Sequence, residues 1–282
     1  MGGSFALAMK RAGLVKRVVG YSKSPSTTEL ARQMGVIDVV APSALLAVSG
    51  ADIVLLAVPV AATEATIKSI KHLVTRQMLI MDVGSTKGSV VDAARRALRD
   101  HIGSFVPAHP IAGKEASGVE HADANLYQGK QVIITPIDRT NPTQLQKATD
   151  LWARLGCQVI NMTPEQHDAT FAAVSHLPHL IAFALMQCIS NQEGGESHLS
   201  LAGPGFRDFT RIAASDPKVW RDIFLHNKEE LLAQSRLFQQ ALQSLELMIS
   251  NGNSDALETL IGQSSKTRAN WRMGPHKAPA AK

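Results

Sequence analysis

Short apolar runs alternate with segments of helical periodicity through the first half of the chain. These runs are continuous rather than interrupted by polar residues, which is typical of parallel strands covered on both faces. Strands are predicted at 17–21, 36–40, 53–58, 78–83, 104–106, 131–135 and 157–161. Helices are predicted between them at 26–34, 42–48, 61–73, 89–99 and 141–155. This alternation predicts a doubly wound α/β sheet.

The second half has a different pattern, because the strand signal ends near residue 162. Apolar residues then recur every three or four positions over 164–190, 217–250 and 254–271, which predicts an all-α helical domain. The predicted division is therefore an α/β domain, a helical domain and a disordered basic tail rich in Pro, Ala and Lys. Their ranges are 1–162, 163–273 and 274–282.

One helical segment carries a broader apolar stripe than a surface helix needs. The stripe consists of Leu231, Leu232, Leu237, Phe238, Leu242, Leu245, Leu247 and Met248. A core within a single chain would explain it, but large apolar helical faces commonly close by pairing with a second copy. We therefore predict a homodimer built through the helical domain.

The composition is that of a globular protein, with 45% hydrophobic residues and a mean hydropathy of -0.01. No apolar run approaches the roughly 18 residues of a membrane span, and the apolar start is followed rather than preceded by basic residues, unlike a signal peptide. Cys157 and Cys188 lack CxxC spacing and are too few for a disulfide framework. We expect a cytoplasmic protein without a membrane partner.

The net charge of +5 does not indicate a nucleic-acid interface. Five of the 29 Lys and Arg follow Glu258, the last acid, so the 24 that precede it balance the 24 Asp and Glu. Because the excess lies near the C-terminus rather than over a face, we expect no nucleic-acid partner.

The first residues are similar to the helix that follows a glycine-rich dinucleotide loop. In a Gly-x-Gly-x-x-Gly fingerprint the third glycine permits close packing of the helix on a strand; Gly2 stands in that place, with Gly3 beside it. The first strand of a Rossmann-type unit and the first two glycines are absent from the sequence. We therefore expect Met1 to be an internal methionine and the native protein to extend upstream by at least about ten residues.

A polar turn follows the next predicted strand. Ser22, Lys23 and Ser24 stand where an Asp or Glu usually binds the adenosine ribose and repels a 2′-phosphate. Two hydroxyls and a cation suit a phosphate better than an acid does, although an exposed turn would have the same composition. The predicted cofactor is NAD or NADP, with NADP at least tolerated. Further cofactor contacts are predicted after the following strands, at Val58, Pro59 and Gly84.

Two polar segments follow consecutive strands. The first, Asp82-Val-Gly-Ser-Thr-Lys-Gly88, lies at the end of the predicted strand 78–83. The second, Ala108-His-Pro-Ile-Ala-Gly-Lys-Glu115, follows the predicted strand 104–106. In a parallel sheet both segments open onto the rim where such sheets bind ligands. His109 and Ser85 are therefore candidates for a pair that handles a proton beside a bound cofactor.

Four motifs carry a family resemblance that runs from about Gly2 to Trp271. They are the segment after Asp82, His109-Pro-Ile-Ala-Gly113, Ser175-His-Leu-Pro-His179, and Gly205-Phe-Arg-Asp-Phe-Thr-Arg-Ile-Ala213 followed by Trp220-Arg-Asp-Ile-Phe224. In this order they resemble the prephenate dehydrogenase family, which includes the cyclohexadienyl and arogenate dehydrogenases of tyrosine biosynthesis. The resemblance implies oxidative decarboxylation of a cyclohexadienol: hydride goes to nicotinamide, carbon dioxide leaves from the opposite carbon, and the ring becomes aromatic.

The resemblance also implies residue roles. His109 would accept the hydroxyl proton, for which an ordinary histidine pKa near 6.5 is suitable. Ser85 would hydrogen-bond the hydroxyl or the imidazole, and Arg211 would grip a carboxylate with two parallel bonds. Residues that would assist at the substrate are Glu115, His176, Asp208, Trp220 and, across a dimer interface, Arg207.

Other interpretations of these residues remain open. Arg207, Asp208 and Arg211 also fit a solvated ion pair on a helix surface, and His176 also fits a packed histidine. Its spacing from His179 is compatible with a metal, but no third ligand clusters with them and we predict no metal site. Rival functions are another two-domain dehydrogenase, such as a 3-hydroxyacid dehydrogenase or an imine reductase, and a non-catalytic nucleotide-binding protein.

Overall fold

A computed structural model describes residues 1–113 and 118–273. The predicted substrate residue Glu115 and the predicted basic tail at 274–282 lie outside the described residues.

Short strands make up the first part of the molecule and fall into three hydrogen-bonded groups. They are β1 (Val19–Gly20), β2 (Val39–Val40), β3 (Ile53–Leu56), β4 (Leu79–Asp82), β5 (Phe105–Val106), β6 (Ala108–Pro110), β7 (Gln131–Ile134) and β8 (Gln158–Asn161). The groups are β1-β2, β3-β4-β5 and β6-β7-β8, and every pairing is parallel except that of β6 with β7. Every strand except β6 lies within a predicted range, but three groups replace the single expected sheet.

The helices of this part also follow the prediction to within a few residues. They are α1 (Gly2–Arg11), α2 (Pro25–Gln33), α3 (Ala44–Val48), α4 (Thr63–Ile70), α5 (Gly88–Leu98) and α6 (Pro142–Arg154). Local chemistry sets several starts: the side chain of Asn141 accepts from Thr143 N–H at the start of α6, where Pro142 occupies the first turn.

Strand β4 is buried on both faces, as its continuous apolar sequence predicts. Leu79 and Met81 pack in one cluster with Phe5 and Trp152, whereas Ile80 faces the opposite cluster, which contains residues of α4 and α5. Side chains of a strand point alternately to its two faces, so helices on each side cover one set. The carboxyl end of β4, where Asp82 lies, is thereby held rigidly.

Pro107 marks the point where the chain passes from one group of strands to another. It has no N–H to donate to a strand ladder, and it separates β5, which pairs with β4, from β6, which pairs with β7. Its carbonyl accepts from Thr135 N–H at 3.0 Å. His109 therefore lies within an antiparallel strand pair, where the sequence predicts a segment following a parallel strand.

Helices alone form the rest of the described chain. They are α7 (Pro164–Phe171), α8 (Leu177–Ser190), α9 (Gly195–Ser200), α10 (Pro204–Thr210), α11 (Pro217–His226), α12 (Lys228–Ser250) and α13 (Ser254–Asn270). The predicted segment 217–250 is broken at Asn227, and the short helices α9 and α10 were not predicted because they lack a clear apolar repeat.

A single helical segment runs from Pro164 to Ser190, because a π-helical turn at Ala172–His176 joins α7 to α8. Pro178 falls in the first turn of α8, where its missing N–H is tolerated. This segment of 27 residues includes an 18-residue window with a mean hydropathy of 1.5, which passes the test for a membrane span by length and composition alone. The expectation that no apolar run approaches the length of a membrane span is therefore wrong by this measure, although core helices of soluble proteins pass the same test.

The apolar stripe on α12 is largely uncovered within one chain. Leu231 is buried at 4% exposure, but Leu237 is 58% exposed and Leu247 57% exposed. An intramolecular core therefore does not account for the stripe.

Candidate active site

The predicted cofactor residues follow β1, β3 and β4 in the chain or lie at the start of α1. Gly2 approaches Ala57 so closely that an added Cβ would lie 2.8 Å from the Ala57 Cβ. A side chain at this position would displace α1 from the residue that follows β3. This is the close helix-to-strand packing that the third glycine of a dinucleotide fingerprint provides.

The turn after β1 is rich in hydroxyl groups. Ser22 Oγ accepts from Ser24 N–H at 3.2 Å, and Ser24 Oγ lies 2.9 Å from Ser26 Oγ and accepts from Thr27 Oγ1 at 3.1 Å. Ser22 is half-buried, whereas Lys23 and Ser24 are exposed. The turn therefore presents hydroxyls and one ammonium group to solvent, a donor set that suits a phosphate.

A buried ion pair clamps the main chain next to His109. Lys87 Nζ donates to the carboxylate of Asp82 and, at 2.8 Å, to the carbonyl of Ala108. Asp82 Oδ1 in turn accepts from Ala108 N–H at 3.1 Å. Burial lowers the pKa of Lys87, while attraction to Asp82 opposes that shift. Both polar groups of Ala108 are thus fixed by the loop that follows β4.

A chain of three side chains runs from His109 into the helical domain. His109 Nδ1 lies 2.8 Å from His167 Nε2, and His167 Nδ1 lies 2.8 Å from Asp168 Oδ1. Asp168 also accepts from the N–H groups of Lys87 and Gly88, each at 2.8 Å. Phe171 packs against both histidine rings.

The direction of these hydrogen bonds follows from the carboxylate, which only accepts. Asp168 therefore accepts a hydrogen bond from Nδ1–H of His167. Because the neutral ring carries one proton, His167 Nε2 is unprotonated and accepts from His109 Nδ1–H. The remaining nitrogen of His109, Nε2, then carries a lone pair. The chain therefore leaves His109 ready to accept a proton at Nε2.

Burial, with neighbouring His167, Lys87 and His176, lowers the pKa of His109 well below 6.5. The expectation of an ordinary pKa is therefore wrong: the low-polarity surroundings disfavour the imidazolium form. Burial likewise lowers the pKa of His167. Burial would raise the pKa of Asp168, but hydrogen bonds from His167, Lys87 and Gly88 outweigh it and lower that pKa. At neutral pH the histidines are neutral and the carboxylate is charged.

Ser85 lies half-buried in the loop between Asp82 and Lys87. Its hydroxyl makes no hydrogen bond to the His109 ring among the described residues, and the ring's one hydrogen bond goes to His167. Its main chain instead faces His176.

A second cluster surrounds His176 and belongs to the helical domain. His179 stacks on Trp220 with ring centroids 3.4 Å apart, and His176 meets the same indole edge-on at 6.2 Å. The charge of Arg211 contributes to lowering the pKa of His179, which places the guanidinium close to this stack. His176 and His179 thus both contact Trp220, and Arg211 lies near His179.

Arg207 and Asp208 lie apart from these clusters on the surface of α10. They pair with each other at 3.3 Å while both side chains are more than 70% exposed. This geometry is that of the solvated ion pair considered from the sequence. No group of three or more side chains suited to a metal ion occurs within residues 1–113 and 118–273.

Three residues of these clusters were not candidates from the sequence: Lys87, His167 and Asp168. One signal for two of them was available, because Thr163 and Gln166 form a capping box that starts α7 directly after β8. His167 and Asp168 follow within five residues of that start, so they stay near the carboxyl end of β8.

These features define a class: a dinucleotide-binding α/β domain with a histidine chain at its rim, completed by a helical domain, as in two-domain dehydrogenases. Two family models match the chain, "Prephenate dehydrogenase, nucleotide-binding domain" over residues 5–161 and "Prephenate dehydrogenase, dimerization domain" over 163–263. The chain belongs to the prephenate dehydrogenase family. The resemblance seen in the sequence motifs and the predicted fold class are both confirmed.

Individual relatives agree with this assignment. The chain is 37% identical over 234 residues to a prephenate dehydrogenase of Bacillus subtilis, covering 82% of this chain and 63% of that relative. It is 35% identical over 250 residues to a cyclohexadienyl dehydrogenase of Zymomonas mobilis, covering 88% of this chain and 85% of that relative. The crystal structure of Aquifex aeolicus prephenate dehydrogenase in complex with hydroxyphenyl propionate and NAD+ is 36% identical, with a TM-score of 0.89 and coverage of 95% and 93%.

The ion pair at Lys87 gives a prediction about stability. Lys87→Met leaves Asp82 buried without its cation, and we expect the free energy of unfolding in urea to fall by about 3–5 kcal/mol. Removing the charge of Asp82 as well, in Lys87→Met/Asp82→Asn, should recover part of that loss. Lys68→Met, which breaks an exposed pair with Glu64, serves as the matched control and should change stability far less. Equal effects of the two lysine substitutions would contradict the buried clamp.

Proposed function

We propose that the chain oxidatively decarboxylates prephenate, arogenate or both, with hydride transfer to NAD+ or NADP+. The products would be 4-hydroxyphenylpyruvate from prephenate and tyrosine from arogenate, which places the enzyme in tyrosine biosynthesis. Family membership supports the reaction class. The observation that carries the proposal is the chain from His109 to Asp168, which presents an unprotonated histidine nitrogen at the rim where the cofactor residues gather.

The cofactor-binding role rests on the fit of the rim to a dinucleotide. Gly2 and Gly3 lie at the start of α1, whose N–H groups suit a pyrophosphate, and the approach of Gly2 to Ala57 leaves no room for a side chain. The residues proposed to hold the cofactor are Gly2, Gly3, Ser22, Lys23, Ser24, Val58, Pro59 and Gly84. When bound, its nicotinamide would supply the hydride acceptor.

His109 manages the proton of the substrate hydroxyl. As the ring carbon that bears the hydroxyl loses its hydride, the O–H bond breaks and its proton passes to His109 Nε2. Loss of the opposite carboxylate as carbon dioxide then returns an electron pair to the ring, and the resulting phenolate oxygen takes the proton back. The His167–Asp168 pair stabilises the imidazolium between these steps by orienting the ring and by the charge of the carboxylate.

Arg211 and its neighbours bind the substrate carboxylates. A guanidinium binds a carboxylate through two parallel hydrogen bonds, and the stacked rings of His179 and Trp220 support the region where Arg211 lies. His176 of the helical domain faces the main chain of Ser85 in the loop after β4. We keep Glu115, Asp208 and, from a second protomer, Arg207 as proposed contributors to substrate binding.

A homodimer is the proposed assembly, supported by the uncovered stripe on α12 and by the dimerization domain that the family model describes. A cytoplasmic location and a small-molecule partner accord with this role in biosynthesis.

The proposed activity is tested by following NADH or NADPH formation with prephenate and with arogenate. His109→Asn removes the proton acceptor, and we expect kcat to fall by about 10²–10⁴-fold with little change in KM. His101→Asn, at an exposed histidine, is the matched control. A kcat near that of the wild type would remove His109 from the mechanism, and turnover of 3-hydroxyisobutyrate without either cyclohexadienol would contradict the proposed function.

The polar turn after β1 predicts the cofactor range. Ser22→Asp places a carboxylate where the 2′-phosphate of NADP+ would lie, and kcat/KM for NADP+ should fall about tenfold or more relative to that for NAD+, because like charges repel. Ser254→Asp, far along the chain at the start of α13, should leave the ratio unchanged. If wild type and Ser22→Asp use NADP+ equally, the turn does not contact the ribose.

Assembly is measured by light scattering of the purified protein. The wild type should have the mass of two chains, and Leu237→Glu/Leu242→Glu should have the mass of one, because charges on the stripe cannot be buried unpaired. Gln240→Glu adds a charge to α12 without removing an apolar side chain and should remain dimeric. A monomeric wild type at micromolar concentration would contradict the proposal.

A further inference from the structure

Asn227 occupies the junction between the last helices and is buried at 5% exposure. It ends α11 and is the first flanking residue of α12. Asparagine is favoured there because its side chain usually accepts from an N–H of the following turn. The Asn227 side chain makes no such bond and turns away from its own helix. The usual reason for asparagine at this position therefore does not apply.

The amide of Asn227 instead reaches two groups in the active site. Its Nδ2 donates to the main-chain carbonyl of Asp168 at 2.9 Å and lies 3.1 Å from Nδ1 of His176. A carbonyl only accepts, so the contact with Asp168 fixes which end of the amide is nitrogen. The second N–H of that nitrogen is then available to His176, and Nδ1 of His176 must accept it.

This bond determines where the proton of His176 lies. Burial lowers the pKa of His176 to about 4, so the ring is neutral near pH 7 and carries one N–H. With Nδ1 acting as acceptor, that N–H is at Nε2. The side chain is 1% exposed, and among the described residues no acceptor lies in hydrogen-bonding geometry with Nε2, although the Ser85 main chain faces the ring. Buried donors in proteins are nearly always satisfied, and the Ser85 main chain is only a weak partner, so this N–H is able to donate to an oxygen of a bound ligand.

We propose that Asn227 is a positioning residue that holds His176 in the Nε2–H tautomer and so makes it a hydrogen-bond donor to an oxygen of the bound substrate. That this substrate is a cyclohexadienol carboxylic acid rests on the proposed function. The same amide holds the main chain of Asp168, whose carboxylate orients His167 and through it His109. One side chain thus sets the substrate donor and supports the proton acceptor.

The tautomer is measured directly by NMR of protein labelled with 15N in its histidines, without substrate, at neutral pH. Protonated and unprotonated imidazole nitrogens have distinct 15N shifts, and the His176 signals are those missing from a His176→Gln spectrum. The wild type should show a proton on Nε2 and none on Nδ1. A wild-type proton on Nδ1 would overturn the proposal, and this result requires no Asn227 variant to fold.

Asn227→Asp reverses the hydrogen bond while preserving the shape of the side chain. A carboxylate only accepts, so Nδ1 of His176 should become protonated, and kcat/KM for the substrate should fall by about 10- to 100-fold, chiefly through KM. Asn251→Asp makes the same change at an exposed site at the other end of α12 and should alter neither measurement. Retention of the wild-type 15N pattern in Asn227→Asp would overturn the proposal.

The two proposals fail in different ways. If the wild type turns over neither prephenate nor arogenate, the proposed function fails, and the 15N spectra still decide the tautomer. If the wild type is active but His176 carries its proton on Nδ1, the role of Asn227 fails and the proposed function stands.

Discussion

The carboxylate of Asp168 is the group on which the rest of the site depends. The first N–H groups of a helix have no partner within the helix, and the helix dipole favours a negative charge beside them. Asp168 binds the N–H groups of Lys87 and Gly88 at the start of α5, although it belongs to α7 of the helical domain. The same carboxylate receives Nδ1–H of His167. A single charge thereby joins the two domains and determines which ring nitrogen carries the proton in His167 and in His109.

The buried ion pair of Lys87 and Asp82 has a positional role rather than a simply stabilising one. Transfer of two charges out of water costs about as much as their attraction returns, and apolar residues of similar size often stabilise a fold as well or better. Here each partner also hydrogen-bonds the main chain of Ala108. The two bonds fix the position of Ala108 relative to β4. Pro107 on the other side directs the chain into the pairing with β7. The clamp on Ala108 and the pairing of β6 with β7 therefore fix the position of His109 before any ligand binds.

The sequence predicts the parts of this arrangement that depend on local pattern. Continuous apolar runs located the strands, and their carboxyl ends located the rim that holds Ser85 and His109. Contacts made over long sequence distances have no local pattern: His109 and His167 are 58 residues apart, and Asn227 and His176 are 51 apart. The antiparallel β6 was also missed, because a three-residue strand beside a proline has no recognisable period. Asn227 would have been assigned as an ordinary helix cap, since its residue type is common there.

Neutral, buried histidines make the direction of hydrogen bonding informative. In water each ring would exchange between tautomers, but Asp168 can only accept and the Asn227 amide nitrogen can only donate, so each fixes the ring beside it. The result is two neighbouring histidines of opposite character: His109 presents a lone pair and His176 presents an N–H. The lone pair comes from the α/β domain and is oriented by the helical domain, whereas the N–H comes from the helical domain and faces the loop after β4. Neither domain alone contains an oriented acceptor and donor, so docking of the two domains is itself what assembles the chemistry.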